Sequence, residues 1–280
     1  MEYLTFRLYG PLASWGEIAV GESRHTAAYP SKSALLGLLA AALGIRRDEE
    51  ERQMALALGY QFAVKVISTG HLLRDYHTAQ APPMVAVERY PAATRKDELA
   101  ALENYQKEVS NYAGTILSSR EYRCDALSLV AIRALDGAPF SLNQLKDALL
   151  TPKFHLYLGR KSCPLSVPIK PRVRDAAGFG QALDEYPNGP LDISSKLLRI
   201  ARKESEGGTL ADAPSVATLS QDDQYALSIK KQPARYYWEG ESGDYLKAQQ
   251  VLTRHDQPLS RSRWQFTQRP ENLYMAREED

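Results

Sequence analysis

Four stretches of this chain hold side chains whose types and spacing could do chemistry. The first runs from Gly10 to Ser33: Gly10-Pro11, Trp15-Gly16 and Arg24-His25 lead into Pro30-Ser31-Lys32-Ser33, where a helix is expected to start. Free backbone N–H groups at a helix N-terminus, with the helix dipole behind them, favour a phosphate or another anion. Lys32 and Arg24 would add mobile charge there, and Ser31 and Ser33 would add hydroxyl donors. Alternatively, Ser31 simply caps a buried helix. The Gly-x-x-x-x-Gly-Lys-[Ser/Thr] spacing of a P-loop is absent.

The second stretch is Tyr157-Leu158-Gly159-Arg160-Lys161-Ser162-Cys163-Pro164. A glycine lets backbone come close to a ligand, and adjacent cations suit a phosphodiester. Around it, Lys153, Arg160, Lys161, Lys170, Arg172 and Arg174 face only Asp175, although a solvated basic turn would look the same. The third stretch interleaves Arg261, Arg263 and Arg269 with Trp264 and Phe266. That pattern suits stacking on unpaired bases, or an edge strand with snorkelling arginines. The fourth, Leu73-Arg74-Asp75-Tyr76-His77-Thr78, places Tyr76 and His77 where metal-free RNA cleavage could use a general base. The histidines His25, His71, His77, His155 and His255 show no metal-ligand spacing, and a Gly-x-Ser-x-Gly elbow is missing. Cys124 and Cys163 read as buried apolar thiols, so neither metal nor cofactor is expected.

The whole chain sets bounds on these candidates. Its 280 residues carry 35 Lys+Arg against 34 Asp+Glu, a net charge of +1. Near neutrality excludes a polycation that coats nucleic acid indiscriminately, but it conceals segregation. The segment from Lys153 to Asp175 is strongly basic, whereas Asp48-Glu49-Glu50-Glu51 and Glu278-Glu279-Asp280 are acidic. The apolar run Ala34–Leu43 is too short to span a bilayer, and the first residues lack the basic-then-apolar order of a signal peptide. With only two cysteines, the expectation is a cytoplasmic protein with reduced thiols and no membrane contact.

The elements that must position the candidates follow from periodicity. Leu4, Phe6 and Leu8 alternate with Tyr3, Thr5, Arg7 and Tyr9, which predicts a half-buried strand. A helix over about 34–43 follows, ended by Gly44, and then a second that Asp48 caps, with Glu51 closing a capping box and Gly59 ending it. Alternation from Tyr60 to Val66 gives a second strand. The stretch from His71 to Arg123 breaks the rhythm with Pro82-Pro83, Pro91 and an amphipathic segment marked by Leu102, Tyr105, Val109 and Tyr112. It reads as an insertion projecting from the core. A third strand at 126–133, a helix at 142–150 boxed by Ser141 and Gln144, and a fourth strand at Phe154–Leu158 complete the order β-α(α)-β-insertion-β-α-β. Beyond Pro164, Pro187-Asn188-Gly189-Pro190 and Arg202–Gly208 separate strand-like pieces such as Tyr225–Lys230 and Arg235–Trp238.

Together these pieces resemble a family. Arg7-Leu-Tyr-Gly-Pro-Leu-Ala-Ser-Trp-Gly16, Pro30-Ser-Lys-Ser-Ala-Leu-Leu-Gly-Leu-Leu39 and Leu43-Gly-Ile-Arg-Arg-Asp48 look like the N-terminal signature of the CasD family of type I-E CRISPR Cascade. Leu73–Thr78, Glu121–Asp125, Tyr157–Leu165 and, near the end, Trp264-Gln-Phe266 with its flanking arginines extend the likeness. The resemblance implies an α+β protein. Residues 1–165 would form a ferredoxin-like, RNA-recognition-like domain with a thumb at about 71–123, and 166–280 a β-rich C-terminal part. It implies a non-catalytic subunit that holds the 5′ handle of the guide RNA, meets the CasC backbone and CasA large subunits, and reaches target DNA only through the complex. Processing of the RNA would belong to CasE, although a sister lineage in type I-C is itself an endoribonuclease. Residue by residue it points to Trp15, Gly16, Arg24, Ser31, Lys32 and Ser33, and to Gly159, Arg160, Lys161 and Ser162. Arg261 and Arg263 join them on the basic-aromatic pattern.

Overall fold

The computed structural model describes residues 1–16, 19, 22–109, 114–186 and 233–276. In chain order, strands β1 (Glu2–Tyr9), β2 (Leu12–Ala13), β3 (Trp15–Gly16), β4 (Ser23–Arg24) and β5 (Thr26–Ala27) precede helices α1 (Lys32–Leu43) and α2 (Glu50–Gly59). Next come β6 (Tyr60–Ser68), β7 (His71–Gln80), α3 (Met84–Arg89), α4 (Arg95–Glu108), β8 (Thr115–Cys124), β9 (Leu127–Ala134) and α5 (Leu142–Leu150). The last are β10 (Arg172–Asp175), α6 (Phe179–Asp184), β11 (Arg235–Trp238), β12 (Gln250–Ser260) and β13 (Gln265–Met275). The chain divides into two units: Met1–Trp15, Ala27–Leu72 and Arg123–Asp280 form the first, Gly16–Thr26 and Leu73–Tyr122 the second.

The first unit is built on a seven-stranded sheet in the order β10-β1-β9-β6-β11-β13-β12, with every neighbouring pair antiparallel. β1 was expected to be half-buried, but it is covered on both faces. Tyr3 and Tyr9 join Phe179, Ala182 and Leu183 of α6 in one core, and alternation leaves Leu4, Phe6 and Leu8 for the face where α5 packs. Even Arg7 is 1% exposed, with its Nε donating to the Pro168 carbonyl at 2.9 Å. The Arg7 charge, on the Tyr3–Tyr9 face, therefore serves the fold.

Local signals account for the helices. Ser31 caps α1 by accepting from Ala34 N–H, the Ala/Leu run propagates it, and Gly44 ends it in the left-handed region at φ 74°. The Ser141–Gln144 capping box of α5 forms, and Leu142, Leu145 and Leu149 are buried. The start of α2 departs from expectation. Its N-cap is Glu49, not Asp48, and no side chain caps it. The Glu49 carboxylate accepts instead from Arg46 N–H at 2.7 Å and from the Arg52 guanidinium at 2.5 Å.

The expected strand at Phe154–Leu158 is also corrected. Lys153 and Phe154 donate their N–H groups to the Ala42 and Ala41 carbonyls, which docks the segment on the end of α1. Only Tyr157 makes a bridge, to Pro164, and the edge beside β1 goes to β10. Beyond it, β11, β13 and β12 continue the same sheet past β6.

In the second unit β8 pairs with β7 and, in parallel, with β4, at Ser23↔Ser119 and Arg24↔Arg120. Helix α4 begins with a Thr94–Asp97 capping box. The anticipated features at Tyr112, Pro187–Pro190, Arg202–Gly208, Tyr225–Lys230 and Glu278–Asp280 lie outside the described residues. Among the described residues no helix is long and apolar enough to cross a membrane.

Candidate nucleic-acid interface

The start of α1 is already occupied by the protein's own charges. Lys32 is 6% exposed; its backbone N–H donates to Asp256 Oδ2 at 2.7 Å and its Nζ to Glu239 Oε2 at 2.8 Å. Arg269 grips Asp256 through Nε at 2.7 Å and Nη2 at 3.0 Å, and reaches Glu271 Oε1 at 2.6 Å. Tyr29 donates its hydroxyl to the other Glu271 oxygen at 2.6 Å, while Arg254 lies 3.7 Å from Glu271. Burial, with Glu271 beside it, pushes the Tyr29 phenol far above its usual range. A register shift in β12 between Arg254 and Gln257 turns Asp256 inward to reach the helix. Lys32 is therefore not mobile charge, and its N–H is not free for a phosphate. Ser31 and Ser33 lie 3.0 Å apart at their hydroxyls, with Ser31 acting as the cap.

The turn after Tyr157 is seated on the loop that follows β2. Ser14 N–H donates to the Leu158 carbonyl at 3.0 Å, Leu158 N–H to Cys163 O at 2.7 Å, and Cys163 N–H to Arg160 O at 2.9 Å. Gly159 has φ +86°, and any side chain there would collide with the Ser14 carbonyl oxygen. Its glycine is thus explained by approach to the protein's own backbone, not to a ligand. Trp15, 4% exposed, is a packing anchor whose ring is not offered for stacking. Lys161 and Ser162 are exposed and Arg160 is half-buried.

The β12–β13 turn presents cations differently. Trp264, 55% exposed with φ 54°, has the Arg47 guanidinium 4.4 Å from its ring centroid and that of Arg261 at 5.4 Å. Arg261 also lies 6.0 Å from the Phe266 ring. Arg263 is exposed, and Ser262 donates to Glu50 at 2.5 Å. Arg269, grouped with these residues on sequence pattern, belongs instead to the buried cluster.

In the second unit, Gly16 and Arg24 are exposed, and Arg24 donates to the Ser23 carbonyl at 3.4 Å. On β7, alternation places Tyr76 and His77 on opposite faces. Tyr76 interacts with Arg74 on one side, and His77 Nδ1 meets Asp75 Oδ2 at 2.7 Å on the other. The pair considered for RNA cleavage is thus not assembled as one acid–base couple. Arg74 also donates to Glu121 at 2.8 Å, and Thr26 N–H to the same carboxylate at 3.3 Å. Among the described residues no cluster of His, Cys, Asp and Glu could hold a metal ion.

A seven-stranded antiparallel sheet and a basic turn with Lys161 exposed and Arg160 half-buried are the features to compare with known proteins. The family described as CRISPR-associated protein (Cas_Cas5) matches residues 3–270. The chain belongs to that family. A relative, the CRISPR system Cascade subunit CasD of Escherichia coli (strain K12), is 38% identical over 204 residues, covering 69% of this chain and 81% of that protein. The fold is shared with a structure described as a CRISPR RNA-guided surveillance complex, at TM-score 0.56 and 23% identity, covering 98% of this chain and 90% of that one. A second, described as a crystal structure of a Cas protein, gives TM-score 0.52 and 22% identity, with 99% and 96% covered. Within this Cas_Cas5 member, sequence reasoning passed over Arg47 and the acids of the buried cluster. The first had a signal, an Arg46-Arg47 pair just past the Gly44 helix end. The second had none, because Lys32, Glu239, Asp256 and Glu271 are remote along the chain.

Proposed function

We propose that the chain is a non-catalytic, RNA-binding subunit of a CRISPR Cascade complex in the cytoplasm, holding the 5′ handle of the guide RNA. The observation that carries this reading is the family match from residue 3 to 270, joined to substantial identity with a Cascade subunit. The fold is consistent with it. Strands β1, β6, β9 and β10, with α1 and α5 in the crossovers, follow the order and pairing of a split βαβ, so residues 1–165 with β10 read as ferredoxin-like. The insertion at about 71–123 reads as the thumb, and 166–280 as the β-rich part completing the sheet.

Arg160, Lys161 and Ser162 contact handle phosphates from their turn, with Arg261 and Arg263 as a second basic group, and Gly16 and Arg24 of the second unit are RNA contacts of their own. Ser31, Lys32, Ser33, Trp15 and Gly159 shape the surface behind them. CasC and CasA meet the remaining faces, and target DNA is read by base pairing to the guide. Co-expression with the neighbouring genes and a CRISPR array, followed by sequencing of the co-purified RNA, tests this reading. Mature guide RNA with a uniform 5′ end is expected. A complex that forms without this RNA overturns it, as does specific cleavage of repeat RNA by this chain in EDTA that His77→Ala abolishes.

A further inference from the structure

Arg47 and Arg261 are neighbouring cations that no carboxylate neutralises among the described residues. Neither makes a hydrogen bond or ion pair with a carboxylate among the described residues, and Glu50, the acid near this turn, is engaged by Ser262. Burial and the positive charge of Arg47 both work against the charge on Arg261. Like charges held together in partly dry surroundings destabilise a fold unless an anion sits between them.

The arrangement is also built. Arg261 lies so close to α1 at Gly37 that a Cβ there would be 3.2 Å from its Nη2, and the absence of a side chain makes room for the guanidinium. Trp264 holds a left-handed backbone conformation, uncommon for a bulky residue, and its indole carries both guanidinium groups. A guanidinium over an aromatic ring uses its face and leaves the in-plane N–H edges open, which is the geometry that takes a phosphate in bidentate fashion. Tyr157, 41% exposed, lies within electrostatic range of Arg261 and adds a hydroxyl.

We infer that Arg47 and Arg261, aligned by Trp264, form a clamp for one phosphodiester of single-stranded RNA. The inference rests on the RNA-binding reading above and adds Arg47 and the shared phosphate to it. RNA is favoured over an acidic peptide because exposed aromatic surface on Trp264 and Tyr157 adjoins the paired cations, and an unpaired nucleotide brings a base with each phosphate.

The test uses the full chain and a labelled single-stranded RNA carrying the repeat's 5′ segment, with affinity measured across a salt series. Arg47→Ala and Arg261→Ala should each weaken binding by about tenfold or more, and each should lower the salt slope by about 0.7. Because both grip one phosphate, the double variant should show the same slope loss as either single, not twice it. Trp264→Ala should weaken binding while leaving the slope nearly unchanged, since it aligns the charges without carrying one. Arg47 is exposed, so Arg47→Ala decides the matter if Arg261→Ala melts early. Wild-type-like affinity and slope in Arg47→Ala overturn the clamp and leave the RNA-binding reading standing. Wild-type protein that binds no RNA removes both. Unchanged RNA affinity with loss of a neighbouring subunit from the co-expressed complex would assign the pair to an acidic protein segment, and overturn it too.

Discussion

The two ends of the β12–β13 hairpin carry similar side chains to opposite effect. Toward the middle of its strands, Arg254, Asp256, Arg269 and Glu271 meet Lys32 and Glu239, three cations with three anions, nearly all out of solvent. At its tip, Arg47 and Arg261 meet over Trp264, and among the described residues the acid engaged there is Glu50, by Ser262 and near Arg263. Both groups lie against α1, the first at its start and the second at Gly37 and just past its end. Burial makes the difference. A charge removed from water must find an opposite charge within the same chain, so the inner set is spent on holding the hairpin to α1. In the outer set only Arg261 is partly buried, no anion among the described residues satisfies it, and the set's charge stays available to another molecule.

The largest effect should come from breaking the inner set. Arg269→Ala leaves the buried Asp256 carboxylate without its cation, which typically costs about 3–5 kcal/mol, and Lys32→Ala, which leaves Glu239 only Arg269 at 3.6 Å, should cost somewhat less. Denaturant titration of the variants should show that loss, and RNA retention should fall only as the fold does. Should Lys32→Ala instead lose RNA with its unfolding midpoint unmoved, the start of α1 would be an RNA site after all. The next effect belongs to an outer set. Arg160→Ala with Lys161→Ala removes charge-assisted hydrogen bonds worth roughly 1.5–3 kcal/mol each to binding, while stability should change by no more than about 0.5 kcal/mol. Guide retention in the purified complex equal to wild type would sink that assignment.

Gly159→Ala should fall between these classes. Left-handed backbone costs a residue with a Cβ roughly 1–2 kcal/mol, and the collision with the Ser14 carbonyl adds to it. The turn would shift before the core did, so a lowered melting temperature should accompany weaker RNA retention even though both cations remain. Loss of stability alone, with retention intact, would separate the turn's geometry from its role in binding.

How much of this was legible beforehand depended on the distance over which each cause acts. The caps of α1 and α5 and the strands at β1 and Arg235–Trp238 are written within a few neighbouring residues and formed as read, whereas the covering of both faces of β1, to which α6 contributes from far along the chain, was not legible. The basic turn at Arg160 and Lys161 was likewise visible as a local excess of charge. The fate of Lys32 was not, because its partners Glu239 and Asp256 stand 207 and 224 residues away. The same remoteness hid the grouping of Arg47 with Arg261. The strand expected at Phe154–Leu158 failed because a competing pair of hydrogen bonds to Ala41 and Ala42 took its backbone, and nothing in that segment's own pattern announces them.

The smallest effect concerns a carboxylate of intermediate kind, Glu121 in the second unit. Its side chain is 9% exposed, yet its partner Arg74 is 49% exposed, so it is neither sealed like Glu271 nor open like the acids of α4. The Arg74 hydrogen bond holds the Glu121 carboxyl below the usual carboxylate range; burial opposes this, and the His25 ring and Thr26 N–H reinforce it. A carboxyl depressed in the folded state contributes stability that is fully present above its unfolded pKa and is lost as pH falls through the folded value. Amide exchange in β7 and β8 should therefore stay slow down to the ordinary carboxylate range and accelerate only below it. Glu121→Gln should remove that acid dependence and speed exchange modestly at neutral pH, since half of the pair faces solvent and is screened. Exchange in β7 and β8 that follows the same acid profile with Glu or Gln at position 121 would show that this pair, like many at a surface, contributes nothing measurable. In that event the line between the two kinds of charge in this protein would lie at full burial, with no intermediate class.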